Sequence, residues 1–214
     1  QQLNYFNQLI DYQRTSNPNF SGDLLTFYST FKLPAPRDGE IESLSDYKNY
    51  LKSLKGGSGR DPITGEWRAT LTAMNGIEVK SLEEVRIANW LVLNGIAFEY
   101  ERPYGQNTAD KEHRQYYPDF YYPDVNLWHE HFAINSQGQA PKFMKDYVEG
   151  VSWKRELHHE WGTKLIETHS AHFQDGSIFD RLDKSLRELN IPRQPPSNDQ
   201  IDALINQAFN PSRD

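Results

Sequence analysis

Residues 116–134 read YYPDFYYPDVNLWHEHFAI and hold the clearest strand pattern in the chain. Their dense aromatic and β-branched residues predict two strands, over 116–122 and 127–134. Asp119 lies in the first strand and Glu130 in the second, and neighbouring strands can bring two such acids to one point. Two convergent carboxylates are the ligands that a hard cation such as Mg²⁺ requires. The pattern alone fits equally well with a turn residue at Asp119 and a solvated edge residue at Glu130.

Helix and strand signals continue on both sides of this stretch. The first helix opens at Ser81-Leu-Glu-Glu84 and ends at Asn94-Gly95, which are typical start and stop signals. The order α-β-β-β-α-β-α predicts an α/β fold over residues 77–190, with helices covering a central mixed sheet. The predicted elements are a helix over 81–93, strands over 96–104, 116–122 and 127–134, a helix over 141–161, a strand over 163–170 and a helix over 177–189.

Two flanking segments complete the chain. Residues 1–76 have apolar residues at roughly helical spacing, which predicts a polar helical subdomain. Asn75-Gly76 is a turn signal between this subdomain and the core. Residues 191–214 begin with the proline-rich run Ile191-Pro-Arg-Gln-Pro-Pro196, which predicts a linker, and a short helix is predicted over 199–209.

Composition limits the class of protein. The chain has 214 residues, no cysteine and a net charge of −7. It therefore has neither disulfides nor a cysteine zinc site, and no apolar stretch approaches a membrane span. We expect a cytoplasmic protein with no membrane partner. The pI of about 5.5 argues against binding nucleic acid by bulk charge alone. A start at Gln1-Gln2 instead of Met indicates a fragment or a processed product.

The core contains the following motifs in order: Val79-Lys-Ser-x-x-Glu84, Ile87-Ala-Asn-x-Leu91, Asn94-Gly-Ile96, Tyr100-Glu101, Tyr117-Pro-Asp-Phe120, Glu130-His-Phe132, Trp153-Lys-Arg-x-Leu-His158 and Thr163-Lys-Leu-Ile-Glu-Thr168. Taken together, these motifs resemble the PD-(D/E)XK nuclease superfamily. More narrowly, they are similar to the nuclease-like domain inserted in some bacterial UvrD/Rep-type, helicase IV-like helicases. The resemblance covers about half of the chain and implies a restriction-endonuclease-like core, with residues 1–76 as the helical part of the same insertion.

The resemblance implies a nuclease that hydrolyses DNA phosphodiester bonds with Mg²⁺ or Mn²⁺. Asp119 and Glu130 would be metal ligands, and the main-chain carbonyl of His131 would be a further ligand. Glu84 would be the acid from the preceding helix that completes the site. Glu84 also has a structural interpretation, because Ser81-x-x-Glu84 is a capping box in which the glutamate binds the amide of the cap residue.

One position departs from the family's pattern. The lysine expected two residues after the second acid is Phe132 here. Period-2 alternation puts Phe132 on the same face as Glu130, so the cation is missing from its usual place. Lys154 on the following helix is the expected substitute, orienting the attacking water or stabilising transition-state charge. The alternative is a lysine that snorkels at the edge of the helix face. His158, on the same helix face, is a candidate contact for phosphate or water.

Other residues leave alternative functions open. Tyr117 belongs to an aromatic cluster that could stack on unpaired bases, and it is a candidate substrate-binding residue. His129 and His131 offer a zinc-dependent hydrolase as one alternative function. The missing lysine motivates another, a catalytically weak nucleic-acid-binding or interaction module that retains the nuclease fold. The chain has no Walker A motif, so the implied helicase motor, with its role in DNA repair or processing, would lie elsewhere in the same polypeptide.

Overall fold

The computed structural model describes residues 58–60, 67–69 and 71–204, except 112, 143, 145, 198 and 202. Most of the helical subdomain predicted over 1–76 lies outside these residues, as does the end of the helix predicted over 199–209. The described part of 1–76 contains short strands, and the first of them lies in the stretch 55–60, whose Gly-Gly-Ser-Gly sequence predicts a flexible loop. Two antiparallel hairpins pair β1 (Ser58–Arg60) with β2 (Trp67–Ala69) and β3 (Leu71–Thr72) with β4 (Glu78–Val79).

The β3–β4 hairpin belongs to the core. Its turn contains the predicted Asn75-Gly76 signal, and Gly76 takes a φ of +83°, which a glycine adopts without steric cost. Ala73 packs in the main apolar cluster, and the amide of Met74 donates to Asn89 Oδ1 at 2.8 Å. The packed core thus extends upstream of residue 77.

A four-stranded mixed sheet forms the centre of the molecule, in the order β5-β6-β7-β8. The first three strands are antiparallel, and β8 runs parallel to β7. Every residue of β7 is buried, because helices cover both faces of the sheet at this strand. The strands are β5 (Glu99–Tyr100), β6 (Phe120–Tyr122), β7 (Leu127–Phe132) and β8 (Lys164–His169).

Helices flank the sheet on both faces, so the predicted mixed α/β architecture is confirmed. Ile87 and Leu91 of the first helix and Leu182 and Leu186 of the last pack on one face, against Phe120, Tyr122 and Leu127. The second helix packs on the other face, with Leu157 against Trp128 and Val151 against Phe132. The helices are α1 (Leu82–Leu93), α2 (Tyr147–Glu160), α3 (Ser170–Gln174) and α4 (Ile178–Glu188). No helix in the described part of the chain is long and apolar enough to cross a membrane.

Three predicted boundaries differ from the structure. The strand predicted over 96–104 is reduced to β5, because Glu101 takes a φ of +48° that ends the extended run. The helix predicted over 141–161 begins only at Tyr147, since Asp146 before it is left-handed at φ +58°. α3 is an additional helix after β8, and His172 Nδ1 caps it by accepting the amide of His169 at 3.1 Å.

The segment predicted as a linker packs against the core. Ile191 is buried in the main apolar cluster, and the amide of Gln194 donates to the carbonyl of Gly95 at 2.9 Å. A Cβ at Gly95 would lie 1.9 Å from the carbonyl oxygen of Gln194, so this contact requires glycine. The predicted stop signal of α1 is therefore also a docking point for the segment after α4.

Candidate functional site

Glu130 lies in the middle of β7 on the sheet face that α2 covers, and it is fully buried. The Tyr116 hydroxyl donates to its Oε1 at 2.6 Å, and Lys154 Nζ donates to its Oε2 at 2.7 Å. Burial, followed by the charge of Asp119, raises the pKa of Glu130 to about 8, although Lys154 and Tyr116 act in the opposite direction. A buried acid in this state binds a proton or a cation readily at neutral pH.

Lys154 on α2 supplies the positive charge beside Glu130. Its ammonium lies 5.4 Å from the ring centroid of Tyr116 and 5.5 Å from that of Phe132, which is a cation–π arrangement on both sides. Burial lowers the pKa of Lys154, but the charges of Glu130 and Asp119 outweigh it and raise this pKa above its ordinary value. The structure thus has a cation beside Glu130, and Phe132 packs against it on the same sheet face.

Asp119 immediately precedes β6, where it is fixed by the main chain. Its Oδ2 accepts the amide of His131 at 2.8 Å, and its own carbonyl accepts the amide of Glu101 at 3.1 Å. The side chain is therefore held against β7 one residue beyond Glu130. The predicted use of the His131 carbonyl as a metal ligand stays a prediction.

Glu84 approaches from the other side of the sheet, in the first turn of α1. The Ser81 hydroxyl accepts the amide of Glu84 at 3.1 Å, which is one half of the capping box. The other half differs, because Glu84 Oε2 accepts the amide of Lys80, at 3.1 Å, and the hydroxyl of Tyr100. Burial and then the charge of Asp119 raise the pKa of Glu84. Glu84 thus serves the helix start and belongs to the same electrostatic cluster as Asp119.

The cluster therefore combines three carboxyl groups with one ammonium group. Within the described residues, no group of three or more His, Asp or Glu side chains is arranged to hold a metal ion. A cage of three side-chain ligands does not fit this arrangement. Binding of Mg²⁺ or Mn²⁺ through one or two carboxylates and water stays a prediction, which agrees with the preference of Mg²⁺ for keeping several waters and with the negative charge of the cluster.

His158 lies behind Tyr116, away from solvent. Its Nε2 is 3.2 Å from the Tyr116 hydroxyl, and its Nδ1 is 2.7 Å from Thr163 Oγ1. Only 3% of the residue is exposed, and burial lowers the pKa of its ring to about 4. Both nitrogens face protein groups, so Tyr116 stands between His158 and Glu130.

Tyr117 is the exposed member of the aromatic cluster next to Asp119. It is 46% exposed. The remaining aromatic residues of the cluster are buried and pack in the core: Tyr116, Phe120, Tyr121 and Tyr122. Base stacking by this cluster stays a prediction, and it now rests on Tyr117.

His129 and His131 point to the opposite face of β7. His129 is bound by the Tyr122 hydroxyl at Nδ1 and by Thr168 Oγ1 at Nε2, both at 2.8 Å. His131 contacts Thr168 Oγ1 at 2.9 Å through Nδ1 and Glu83 Oε2 at 2.8 Å through Nε2. All four ring nitrogens are occupied by protein groups, which leaves none for the zinc ion that the sequence kept as an alternative.

The sequence predicted no contact with the acids for Tyr100, Tyr116 or Thr163, although each lies in a motif or cluster named above. Each of them owes its place to the packing of separate elements: Tyr116 reaches Glu130 from the loop before β6, and Tyr100 reaches Glu84 from β5. The available signal was weak. It consisted of a tyrosine two residues before Pro118 and a tyrosine in the middle of the predicted strand 96–104, each near a predicted acid.

Comparison with protein-family models, with curated proteins and with solved structures returns no match for this chain. The resemblance described above therefore stays a prediction.

Proposed function

We propose that this chain is a metal-dependent nuclease domain that hydrolyses DNA phosphodiester bonds, and that it serves a superfamily 1 DNA helicase in DNA repair or processing. The observation that carries the proposal is the meeting of Asp119, Glu130 and Lys154. These residues come from the position just before β6, the middle of β7 and α2, respectively. Glu84 adds a fourth element to the cluster. The order of the motifs along the chain supports the restriction-endonuclease-like form of the fold.

Asp119 and Glu130 are the residues proposed to hold the metal. A bound Mg²⁺ or Mn²⁺ supplies Lewis acidity toward a phosphodiester oxygen and lowers the pKa of a bound water. The His131 amide fixes Asp119, and Tyr116 and Lys154 fix the two oxygens of Glu130. Lys154 is the group proposed to orient the attacking water or to stabilise the charge that develops on the phosphate.

Substrate binding is proposed to depend on a partner. The net charge of −7 implies weak intrinsic affinity for a DNA strand. A basic neighbour such as the motor domains of a helicase in the same polypeptide would deliver the strand. Tyr117, which is exposed and lies two residues before Asp119 in the sequence, offers a stacking surface for an unpaired base.

The test is cleavage of labelled single-stranded and duplex DNA by the full chain with Mg²⁺ or Mn²⁺. Asp119→Asn keeps an oxygen that can accept the His131 amide but removes the charge, so we expect cleavage to fall by about 10²-fold or more. The matched control is Asp124→Asn, at an exposed aspartate in the short 3-10 helix Pro123–Val125 after β6, and we expect it to cleave like the parent. A parent protein that cuts no DNA with either metal would overturn the proposal, as would an Asp119→Asn variant that cuts normally.

The alternative is a nucleic-acid-binding or interaction module that retains the fold without cutting. Phe132 in the lysine position motivates it, but the Lys154 ammonium beside Glu130 favours the nuclease. Metal-independent gel shifts of DNA, with no cleavage under either metal, would select the alternative.

A further inference from the structure

A continuous chain of hydrogen bonds runs from the interior to Glu130. The Tyr104 hydroxyl lies 2.6 Å from Thr163 Oγ1, which lies 2.7 Å from His158 Nδ1. His158 Nε2 lies 3.2 Å from the Tyr116 hydroxyl, which lies 2.6 Å from Glu130 Oε1. The chain links the start of β8 and the end of α2 to the acid in the middle of β7.

The bonds of this chain have one direction when Glu130 is ionised. Tyr116 then donates to Glu130, so its oxygen must accept from His158 Nε2–H. A neutral imidazole with a proton on Nε2 has a bare Nδ1, which accepts from the hydroxyl of Thr163. The Thr163 oxygen in turn accepts from Tyr104. In this series of hydrogen bonds from Tyr104 to Glu130, every hydroxyl donates once and every donor has an acceptor.

Packing holds the His158 ring in the orientation that this direction requires. The rings of Tyr104 and Tyr116 meet it edge to face, with centroids 5.0 Å and 5.7 Å away. Trp128 lies against the same ring at 6.3 Å. Rotation of the imidazole is therefore opposed on several sides, and a phosphate could reach it only by displacing buried tyrosines.

We propose that His158 is a positioning residue, which acts through Tyr116 to orient the carboxylate of Glu130 toward the metal, and that it does not contact the substrate. The inference rests on the proposed nuclease function of the same site. It replaces the direct phosphate contact expected from the sequence with an indirect role. Supporting groups of this kind behind a metal ligand commonly change affinity or activity by about 10- to 100-fold.

The first test needs neither metal nor DNA. The side-chain carboxyl ¹³C resonance of Glu130, assigned by its loss in Glu130→Gln, reports the environment of that carboxylate in the full chain. Tyr116→Phe and His158→Phe are expected to shift it in the same direction, and the double variant is expected to match Tyr116→Phe alone. His158→Gln, which can still donate to Tyr116, should restore the parent position. If His158→Phe left the resonance unmoved while Tyr116→Phe shifted it, the proposal would be wrong.

Thr163→Val gives the same test without changing the ring, should His158→Phe fail to fold. It removes the hydroxyl that donates to His158 Nδ1, and a smaller shift of the Glu130 resonance in the same direction is expected. An unchanged Glu130 resonance in this variant would also count against the proposed positioning role of His158.

The second test uses Mn²⁺ and a DNA oligonucleotide. For a positioning role, His158→Phe lowers kcat and Mn²⁺ affinity by roughly tenfold or more, leaves KM for DNA unchanged, and adds nothing to Tyr116→Phe. A raised KM for DNA, or an effect that adds to that of Tyr116→Phe, would instead indicate direct substrate contact. Failure of the proposed nuclease function and failure of the positioning role of His158 are distinguishable. A parent protein that is inactive toward DNA refutes the nuclease function, whereas the ¹³C result decides the positioning role by itself.

Discussion

The two faces of β7 bury polar groups in opposite ways. We call the side with Glu130, Tyr116 and Lys154 the acid face, and the side with His129 and His131 the histidine face. On the histidine face each ring nitrogen has a protein partner, and burial lowers the pKa of His129 to about 3, so this ring stays neutral. On the acid face burial and the charge of Asp119 raise the pKa of Glu130 to about 8.

The difference separates a structural network from a candidate reaction site. A network in which every ring nitrogen already has a protein partner stabilises the fold and has no capacity left for a ligand. On the acid face, burial and mutual repulsion disfavour the charged form of the carboxyl groups. These groups can therefore still bind protons or cations. Alternation along one strand thus assigns neighbouring residues to different tasks, with Glu130 between two histidines that face away from it.

The largest expected effect comes from changing the central residue of each face. Glu130→Gln removes a charge proposed to bind metal, and we expect DNA cleavage to fall by about 10³-fold. His129→Gln on the histidine face should leave kcat within the same order of magnitude, measured at a temperature where both variants are folded by circular dichroism. Equal losses in the two variants would mean that the faces do not differ in function.

A smaller loss is expected when the cation of the acid face is removed. Lys154→Met deletes the ammonium 2.7 Å from Glu130 and should lower cleavage by about 10²-fold. Arg155→Ala is the matched control, because the neighbouring Arg155 pairs with Glu167, the residue opposite Glu130 in register, at 46% side-chain exposure. If Lys154→Met were as active as Arg155→Ala, Lys154 would be a snorkelling surface lysine, as the sequence alternative holds.

Local periodicity was enough to predict the framework of this comparison. Strand alternation puts His129 and His131 opposite Glu130, and helical spacing puts Lys154 on the inner face of α2, and both features are present in the structure. Such inferences need only the side-chain periodicity of a single strand or helix. They are independent of how distant segments pack.

The hydrogen-bond partners could not be predicted in this way. Thr168 bridges two histidines because β8 pairs in parallel with β7, placing Thr168 beside His131. Thr163 reaches His158 because the chain turns back directly after α2. Register and turn geometry decide these contacts, and neither leaves a periodic trace in the sequence. For the same reason the capping box of Glu84 was only half correct, since Tyr100 from β5 binds the carboxylate.

The threonines of the two faces give a matched pair for stability. Thr168→Val leaves His129 Nε2 and His131 Nδ1 without their shared partner in a buried site, which should lower the free energy of unfolding by about 1–3 kcal/mol. Thr163→Val should cost less, because Thr163 is only half-buried whereas Thr168 is buried. Urea denaturation measures both. Equal losses would contradict the view that the histidine face is the structural one.

The sharpest contrast between the two faces is the pH dependence of stability. The unfolded chain protonates His129 below its ordinary pKa of 6.5, whereas the folded ring resists until about 3, so folding loses stability as pH falls from 6.5 toward 3. Glu130 acts in the opposite sense. The unfolded chain releases its proton above 4.5, whereas the folded acid holds it until about 8, so stability falls as pH rises from 4.5 to 8.

These two slopes, each up to about 1.4 kcal/mol per pH unit, oppose one another between 4.5 and 6.5 and act singly outside that window. Denaturant titrations across pH should therefore show a plateau there. His129→Gln should flatten the acidic limb, and Glu130→Gln should flatten the alkaline limb. Neither limb disappears in these variants. His158, whose pKa is lowered to about 4, keeps part of the acidic slope, and Glu84, whose pKa is raised, keeps part of the alkaline slope. A Glu130→Gln variant that flattened the acidic limb instead would reverse the assignment of the two faces, because only a group with a lowered pKa loses stability in that direction.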